Sequence, residues 1–338
     1  MSDAEENVAA VVDEAGTIHL PARSIPLPAF LSPEAKRLLS FAHAPRTVYP
    51  PLHDREAWRV FIAEHNERSK PMFEAMLERA LDRASVESTS MNGVTVEVGT
   101  PNNRRGDRVW VNVHGGSLVN GAGITARTFA GMLAAQWGNV IYAVDYRVPP
   151  DHPYPAAIDD VVAVYRSVLE DHPAENIVVN GMSSGGNTAS AAVLKARDLG
   201  LPLPGALVLE TPEIDLTESG DSFHTLRDLD PMLGQGLPET IALYADGHDL
   251  AHPYLSPLFA DFGRGFPPTY IQSGTRDIFL SNAVRLHRAL RNAEIDAELH
   301  VWDGALHVGF GIAGIPVDAP ESAEMQTEQA RFLNKHVP

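Results

Sequence analysis

Ile177-Val178-Val179-Asn180-Gly181-Met182-Ser183-Ser184-Gly185-Gly186, midway along this 338-residue chain, carries its strongest structural signal. Its first four residues form a short, largely apolar run of the kind that makes a buried strand. The residues after Gly186, Asn-Thr-Ala-Ser-Ala-Ala-Val-Leu-Lys-Ala-Arg, are rich in alanine and predict a helix. Between the two lies Gly181-x-Ser183-x-Gly185, so the order is strand, sharp turn, helix. At such an elbow the serine is forced into a strained backbone conformation that exposes its hydroxyl. The small flanking glycines let strand and helix approach closely enough to make the turn. Ser183 fits the central position; Ser184 does not, because its upstream partner would be Met182.

Working outward, the same alternation of apolar runs and amphipathic stretches extends from about residue 94. Strands are expected at Gly93 to Val98, Arg108 to Val113, Val140 to Val144, Ile177 to Asn180, Ala206 to Leu209, Thr269 to Gln272 and Ala297 to Val301. Helices are expected near Thr125 to Gln136, Pro155 to Leu169, Gly186 to Asp198, Ser281 to Asn292 and Ala323 to His336. This is the rhythm of an α/β fold with a mostly parallel central sheet. Several strands are continuously apolar, as they must be when helices cover both faces. Residues 1–85 read differently: a lead punctuated by Pro21, Pro26, Pro28 and Pro33, then helical spacing over Arg55 to Leu81. A polar, turn-rich interruption at about 217–250, with a helical piece around Pro238 to Tyr244, separates two strands. The division expected is a helical cap segment at 1–85 and a catalytic domain at 86–338 that carries a second cap segment at 217–250.

Composition narrows the function classes. A formal charge of -18 repels phosphate backbones and anionic membrane surfaces, so neither nucleic acid nor membrane is expected as a partner. The absence of cysteine excludes disulfides, thiol nucleophiles and cysteine-bound zinc. The acidic opening residues, Met1 to Gly16, lack the basic start and apolar core of a signal peptide, and the expectation is a cytoplasmic protein.

A serine nucleophile needs donors for the oxyanion of its tetrahedral intermediate, and these belong on the loop after an earlier strand. Val111-Asn112-Val113 ends in His114-Gly115-Gly116-Ser117, which offers the N–H groups of Gly115 and Gly116 beside that of Ser184. The base expected is His307, in a glycine-containing loop between the last strand and the last helix. The acid expected is Asp277, which follows the strand at 269–272. Asp303 competes for that role, but it shares one loop with His307, whereas acid and base usually arrive from different loops. His114 is expected to shape its turn. Asp145 and Arg147 are expected in a structural ion-pair network. Trp58, Phe61, Phe73, Phe223 and Phe279 either line an acyl pocket or fill the core.

The chain order Ser183, Asp277, His307 is that of α/β-hydrolases. From about residue 90 to 336 the sequence also resembles the bacterial hormone-sensitive lipase-like esterases, family IV. His114-Gly115-Gly116 is similar to the family's oxyanion signature. Asp145-Tyr146-Arg147 with His152-Pro153-Tyr154-Pro155-Ala156-Ala157 resembles its DYR and HPFPAA segment. Gly181 to Gly186 resembles its GDSAGG elbow, Tyr254-Leu255-Ser256-Pro257-Leu258 its turn before the acid-bearing strand, and His307 the histidine of its HGF motif. The resemblance implies an α/β-hydrolase fold, a cap built from N-terminal helices plus an insertion, homodimerisation, and hydrolysis of short-chain acyl esters without a cofactor. Four positions depart from the pattern: Ser117 for a third glycine, Met182 before the nucleophile, Ser184 for the usual alanine, and an intruding Val308. Met182 and Ser117 change the walls of the expected substrate site, and a shifted substrate preference is expected from them.

The reading is therefore a serine carboxylesterase acting on a small-molecule acyl ester through Ser183, His307 and Asp277. Lactone or amide hydrolysis and acyl transfer use the same groups and stay open at this point. A noncatalytic binding protein on this fold would be expected to lack one of the three residues. No H-E-x-x-H or comparable cluster is present, and neither metal nor organic cofactor is expected.

Overall fold

The computed structural model describes residues 9–40, 47–234, 236–312, 315–316 and 319–338. Of the acidic opening segment, residues 1–8 lie outside this set. Eight strands form the main sheet: β1 (Ala84–Met91), β2 (Val94–Pro101), β3 (Val109–Val113), β4 (Val140–Asp145), β5 (Ile177–Met182), β6 (Ala206–Glu210), β7 (Thr269–Gly274) and β8 (Ala297–Trp302). Their spatial order is β1-β2-β4-β3-β5-β6-β7-β8. β2 runs antiparallel to both β1 and β4, and every pairing from β4 to β8 is parallel.

Alternation along the strands sorts the core into two layers. Ile177, Val179, Leu207, Leu209 and Ile271 point to one face, while Trp110, Val178, Val208 and Tyr270 point to the other. The first face is covered by α4 (Ala156–Asp171), α5 (Ser184–Asp198) and α8 (Leu280–Asn292), through residues such as Ile158, Leu194 and Leu286. The second is covered by α3 (Ile124–Trp137) and α9 (Pro320–His336), through Ala126, Ala130, Phe332 and Leu333. Covered on both sides, β5 is buried at all six positions, which is why it opens with the apolar run Ile177-Val178-Val179.

β1 escaped the reading of the sequence. Its Ala-Ser-Val-Glu-Ser-Thr-Ser-Met is mostly polar because it is the edge strand, with only Ala84 and Val86 buried. It begins at Ala84, so the expected segment boundary at residue 85 falls inside a strand.

Before the sheet come α1 (Pro33–Leu39) and α2 (Arg55–Leu81). Ser32 caps α1 by accepting the Ala35 N–H, and its own N–H and hydroxyl both donate to the Glu321 carboxylate at the start of α9, each at 2.7 Å. Leu31, Ala35 and Leu38 pack there against Ala305, Phe310 and Met325. The start of α2 is capped by Asp54, and the helix lays its C-terminal half on α3, with Leu77 buried against Ala126 and Ala130. After β6 the chain makes the short helices α6 (Ser222–Thr225) and α7 (Pro238–Ala245) before it returns to β7. No helix among the described residues is long and apolar enough to cross a membrane.

Candidate active site

The order of the sheet reverses direction around β3: the chain passes from β3 to β4 on one side and then from β4 to β5 on the other. In open α/β sheets the carboxyl ends of strands at such a reversal form a crevice that receives ligands. The ends of β3 and β5 meet there, carrying His114-Gly115-Gly116 and Ser183.

The elbow is close-packed. Ser183 has φ 56° and ψ −128°, a left-handed conformation that a serine adopts only under constraint. The constraint comes from backbone contacts that leave no room for side chains. A Cβ on Gly181 would lie 2.3 Å from the Gly185 carbonyl oxygen, and one on Gly185 would lie 2.2 Å from that of Val113. Three hydrogen bonds fix the serine itself: its N–H donates to the Glu210 carbonyl, and its carbonyl accepts from Gly186 and Glu213.

Ser183, Asp277 and His307 come together at the ends of β5, β7 and β8. The Ser183 Oγ lies 2.9 Å from His307 Nε2, and His307 Nδ1 lies 3.0 Å from Asp277 Oδ1. A neutral imidazole with its proton on Nδ1 satisfies both: Nδ1–H donates to the carboxylate, and Nε2 accepts the serine hydroxyl. All three side chains are buried. Asp277 also accepts the Ser273 hydroxyl at 2.6 Å and the Phe279 N–H at 3.0 Å, so its orientation does not depend on the histidine. Phe279 sets its ring edge-on to the imidazole, with centroids 5.0 Å apart. Asp303, the rival acid, is engaged elsewhere: it accepts the Thr275 hydroxyl at 3.0 Å. Further bonds from Thr275 N–H to Trp302 and from Arg276 N–H to Ala305 sew the acid loop to the histidine loop.

The Gly115 backbone faces Ser183, and a Cβ there would be 3.2 Å from Ser183 Cβ. Gly116 has φ 144°, and a side chain on it would collide with the Asn120 carbonyl at 2.1 Å, so only glycine makes this turn. Ser184 opens α5, where first-turn amides have no intrahelical acceptor and the helix dipole favours negative charge. His114 sits beneath the turn, stacked on Tyr146 at 4.2 Å, with Nδ1 2.8 Å from the Gly115 carbonyl. Burial holds its imidazole below the usual histidine range, and so uncharged. Asp145 and Arg147 do not pair with each other. Arg147 grips the Asp160 carboxylate through its side chain and its backbone N–H, and Asp145 accepts the Gly123 N–H before α3.

Over Ser183 lies a pocket of about 350 Å³. Met182 and Ser117 both line it, and Met182 packs with Phe73, Phe129 and Val308. Of the five aromatics singled out from the sequence, Phe73 faces this pocket. Trp58 is buried in a ring cluster with Tyr49 and Phe61, and Phe223 packs on Phe279 in the core. Val308 has φ 67°, rare for a β-branched residue, and its N–H donates to the Thr211 hydroxyl. A second, more polar space of about 530 Å³ adjoins, sharing His65, Ser117 and Asn120 with the first.

Several lining residues were missed in the sequence. His65, Ser69 and Met72 stand with Phe73 in one stripe of α2 at helical spacing, a signal that pointed to more than the aromatic alone. Met232, Leu233 and Asp230 come from the turn-rich insertion. Among the described residues, Asp230, Asp277 and His307 form the one group with metal-donor atoms this close together, and two of these are already bonded to each other.

Comparison with known proteins agrees with this fold. Residues 110–311 match a family model described as alpha/beta hydrolase fold. An acetyl-hydrolase of Streptomyces hygroscopicus is 34% identical over 207 residues, covering 61% of this chain and 69% of that protein. Among solved structures, an esterase called E25 superposes with a TM-score of 0.83 at 32% identity, covering 95% of this chain and 99% of that one. An esterase from the bacterial hormone-sensitive lipase family superposes with a TM-score of 0.73 at 30% identity, covering 91% and 99%. The chain belongs to the α/β-hydrolase family and, within it, resembles the bacterial hormone-sensitive lipase-like esterases.

Proposed function

We propose that the protein is a serine carboxylesterase that hydrolyses short-chain acyl esters. The observation that carries this reading is the unbroken hydrogen-bonded series Ser183–His307–Asp277 beneath an apolar pocket. In the reaction, His307 Nε2 takes the hydroxyl proton as Ser183 Oγ attacks the acyl carbon. Asp277 holds the proton on Nδ1 and stabilises the imidazolium that forms. The N–H groups of Gly115, Gly116 and Ser184 receive the oxyanion. His307 then protonates the departing alcohol, and water, activated by the same imidazole, releases the acid from the acyl-enzyme. Helices α1 and α2 together with the insertion at 217–250 act as the cap, with Phe73, Met182, Met232 and Leu233 giving the pocket its apolar lining. Likeness to an acetyl-hydrolase supports short acyl chains.

The test is the initial rate of p-nitrophenyl butyrate hydrolysis by the parent protein and by folded Ser183→Ala. The parent is active, and the variant falls by roughly 10⁴-fold or more. Equal rates in the two would refute Ser183 as nucleophile.

A further inference from the structure

Besides Asp277, a second buried carboxylate stands at the histidine. Asp230 is fully inaccessible and belongs to the insertion between β6 and β7, not to the sheet. One of its oxygens, Oδ2, accepts the backbone N–H of His307 at 3.0 Å. The other, Oδ1, accepts the N–H of Met232 at 2.8 Å, and Met232 is part of the pocket wall. Ligand atoms of Asp230, Asp277 and His307 all lie within 4.8 Å of one another. A carboxylate in the protein interior needs such partners, because an unpaired buried charge is costly. Both oxygens here act as acceptors of N–H bonds, the arrangement that suits the ionised form.

We infer that Asp230 is a positioning residue for the hydrolysis. It latches the cap insertion to the catalytic histidine and supplies a second negative charge to the imidazolium formed during the reaction. This rests on the esterase reading above and assigns no step to Asp230 itself, since the Nδ1–H of the ring donates to Asp277.

The connectivity gives the latch its consequence. The same carboxylate holds the backbone of the histidine and the backbone of Met232 in the pocket wall, so a shift in that wall is transmitted to the base. It also explains how a base on a loop with a strained neighbour, Val308 at φ 67°, keeps its place. The titratable groups facing Asp230 are His307 from the loop after β8 and Asp277 from the loop after β7. Burial pushes the Asp230 carboxyl up, and Asp277 adds to this. His307 and the N–H bonds from Met232 and His307 hold it down.

Asp230→Asn keeps the shape and removes the charge. In p-nitrophenyl butyrate hydrolysis followed from pH 5 to 9, the expected result is a kcat about tenfold lower on the plateau, with KM nearly unchanged. The acidic limb of the kcat/KM profile should also move down by about one pH unit, because a negative charge that favoured imidazolium is gone. A residue that merely supported the loop would lower activity and leave that limb in place. An unmoved limb, or a kcat within twofold of the parent, overturns the inference. Ser183→Ala run in the same assay separates the two readings: if it retains activity, the esterase mechanism fails, and if it alone is dead, only the role of Asp230 falls. The parent protein gives a readout independent of any variant. Its His307 backbone amide should exchange with deuterium slowly, and exchange at the rate of an exposed loop amide would overturn the latch.

Discussion

Replacing Gly185 by alanine tests whether the elbow is held by close packing of backbone on backbone. The added Cβ would sit 2.2 Å from the Val113 carbonyl oxygen and 2.4 Å from that of His114. Ordinary carbon–oxygen contact lies beyond about 3 Å, so α5 and the end of β3 must part by about 0.8 Å or more. Both colliding atoms are main chain, and neither can turn aside as a side chain would. Overpacking of this kind costs roughly 1–3 kcal/mol of stability. The catalytic cost is larger in proportion, because the displaced strand end carries Gly115 and Gly116 and the displaced helix carries Ser184. A misplacement of about 1 Å reduces rate about 10²-fold. The assay pairs a thermal melt with kcat/KM on p-nitrophenyl butyrate. Gly131→Ala in α3 is the comparison, because the nearest atoms to its Cβ belong to side chains and not to backbone: Leu77 Cδ1 at 3.0 Å, Val86 Cγ2 at 3.1 Å and Ala80 Cβ at 3.5 Å. There the gain in helix propensity, about 1 kcal/mol, offsets the crowding, and activity should stay near parental. If Gly185→Ala retains kcat/KM within threefold and melts with the parent, the packing argument is wrong.

Asp277→Asn, with its carbonyl oxygen still able to accept from Phe279, should fold normally and lose roughly 10⁴-fold in kcat through the wrong imidazole tautomer; a loss under tenfold would refute the assigned acid. Glu213 is fully buried with neither carboxylate oxygen hydrogen-bonded among the described residues, and burial pushes its carboxyl well above the usual range, with Glu218 and Asp215 adding to the effect. A raised native value means that the folded state holds the proton longer than the unfolded chain, so Glu213 makes stability fall as pH rises above about 4.5. Thermal melts from pH 5 to 8 should therefore show a shallower decline for Glu213→Gln than for the parent, and parallel curves would remove Glu213 from the account. Met182→Asp sets a carboxyl among Phe73, Phe129 and Val308, and the rate on hexanoate relative to acetate esters should drop about tenfold; an unchanged ranking would show that Met182 does not shape the pocket.

What could be read from the sequence follows from where each segment lies. Strands such as β5 and β6 are covered on both faces, so burial writes itself into apolar runs such as Ile177-Val178-Val179 and Ala206-Leu207-Val208-Leu209. β1 meets solvent along most of its length, and Ser85, Glu87 and Ser88 mask it as a polar connection. Ser183, Asp277 and His307 could be singled out because each must sit just beyond a strand, and local sequence identifies strand ends. Pocket residues obey no such rule. Which stripe of α2 faces Ser183 depends on how the helix docks on α3, and neither segment encodes that alone. Asp230 precedes a proline in a turn-rich stretch, where an aspartate ordinarily serves the turn. Its bond to His307 spans 77 residues and emerges only once the insertion folds back over the sheet.

The bond between Ser32 and Glu321 bears on the order of events during synthesis. The chain emerges from the ribosome N-terminus first, and domains tend to fold as their parts become available. Leu31, Ala35 and Leu38 find their packing partners at residues 305, 310 and 325, so α1 is made well before them and must wait until residue 325 has been translated. Until then its apolar face is exposed to whatever else the cell offers. A nascent chain stalled before residue 305 is therefore the form that should call on a chaperone, and release past residue 325 is the moment at which that need should end.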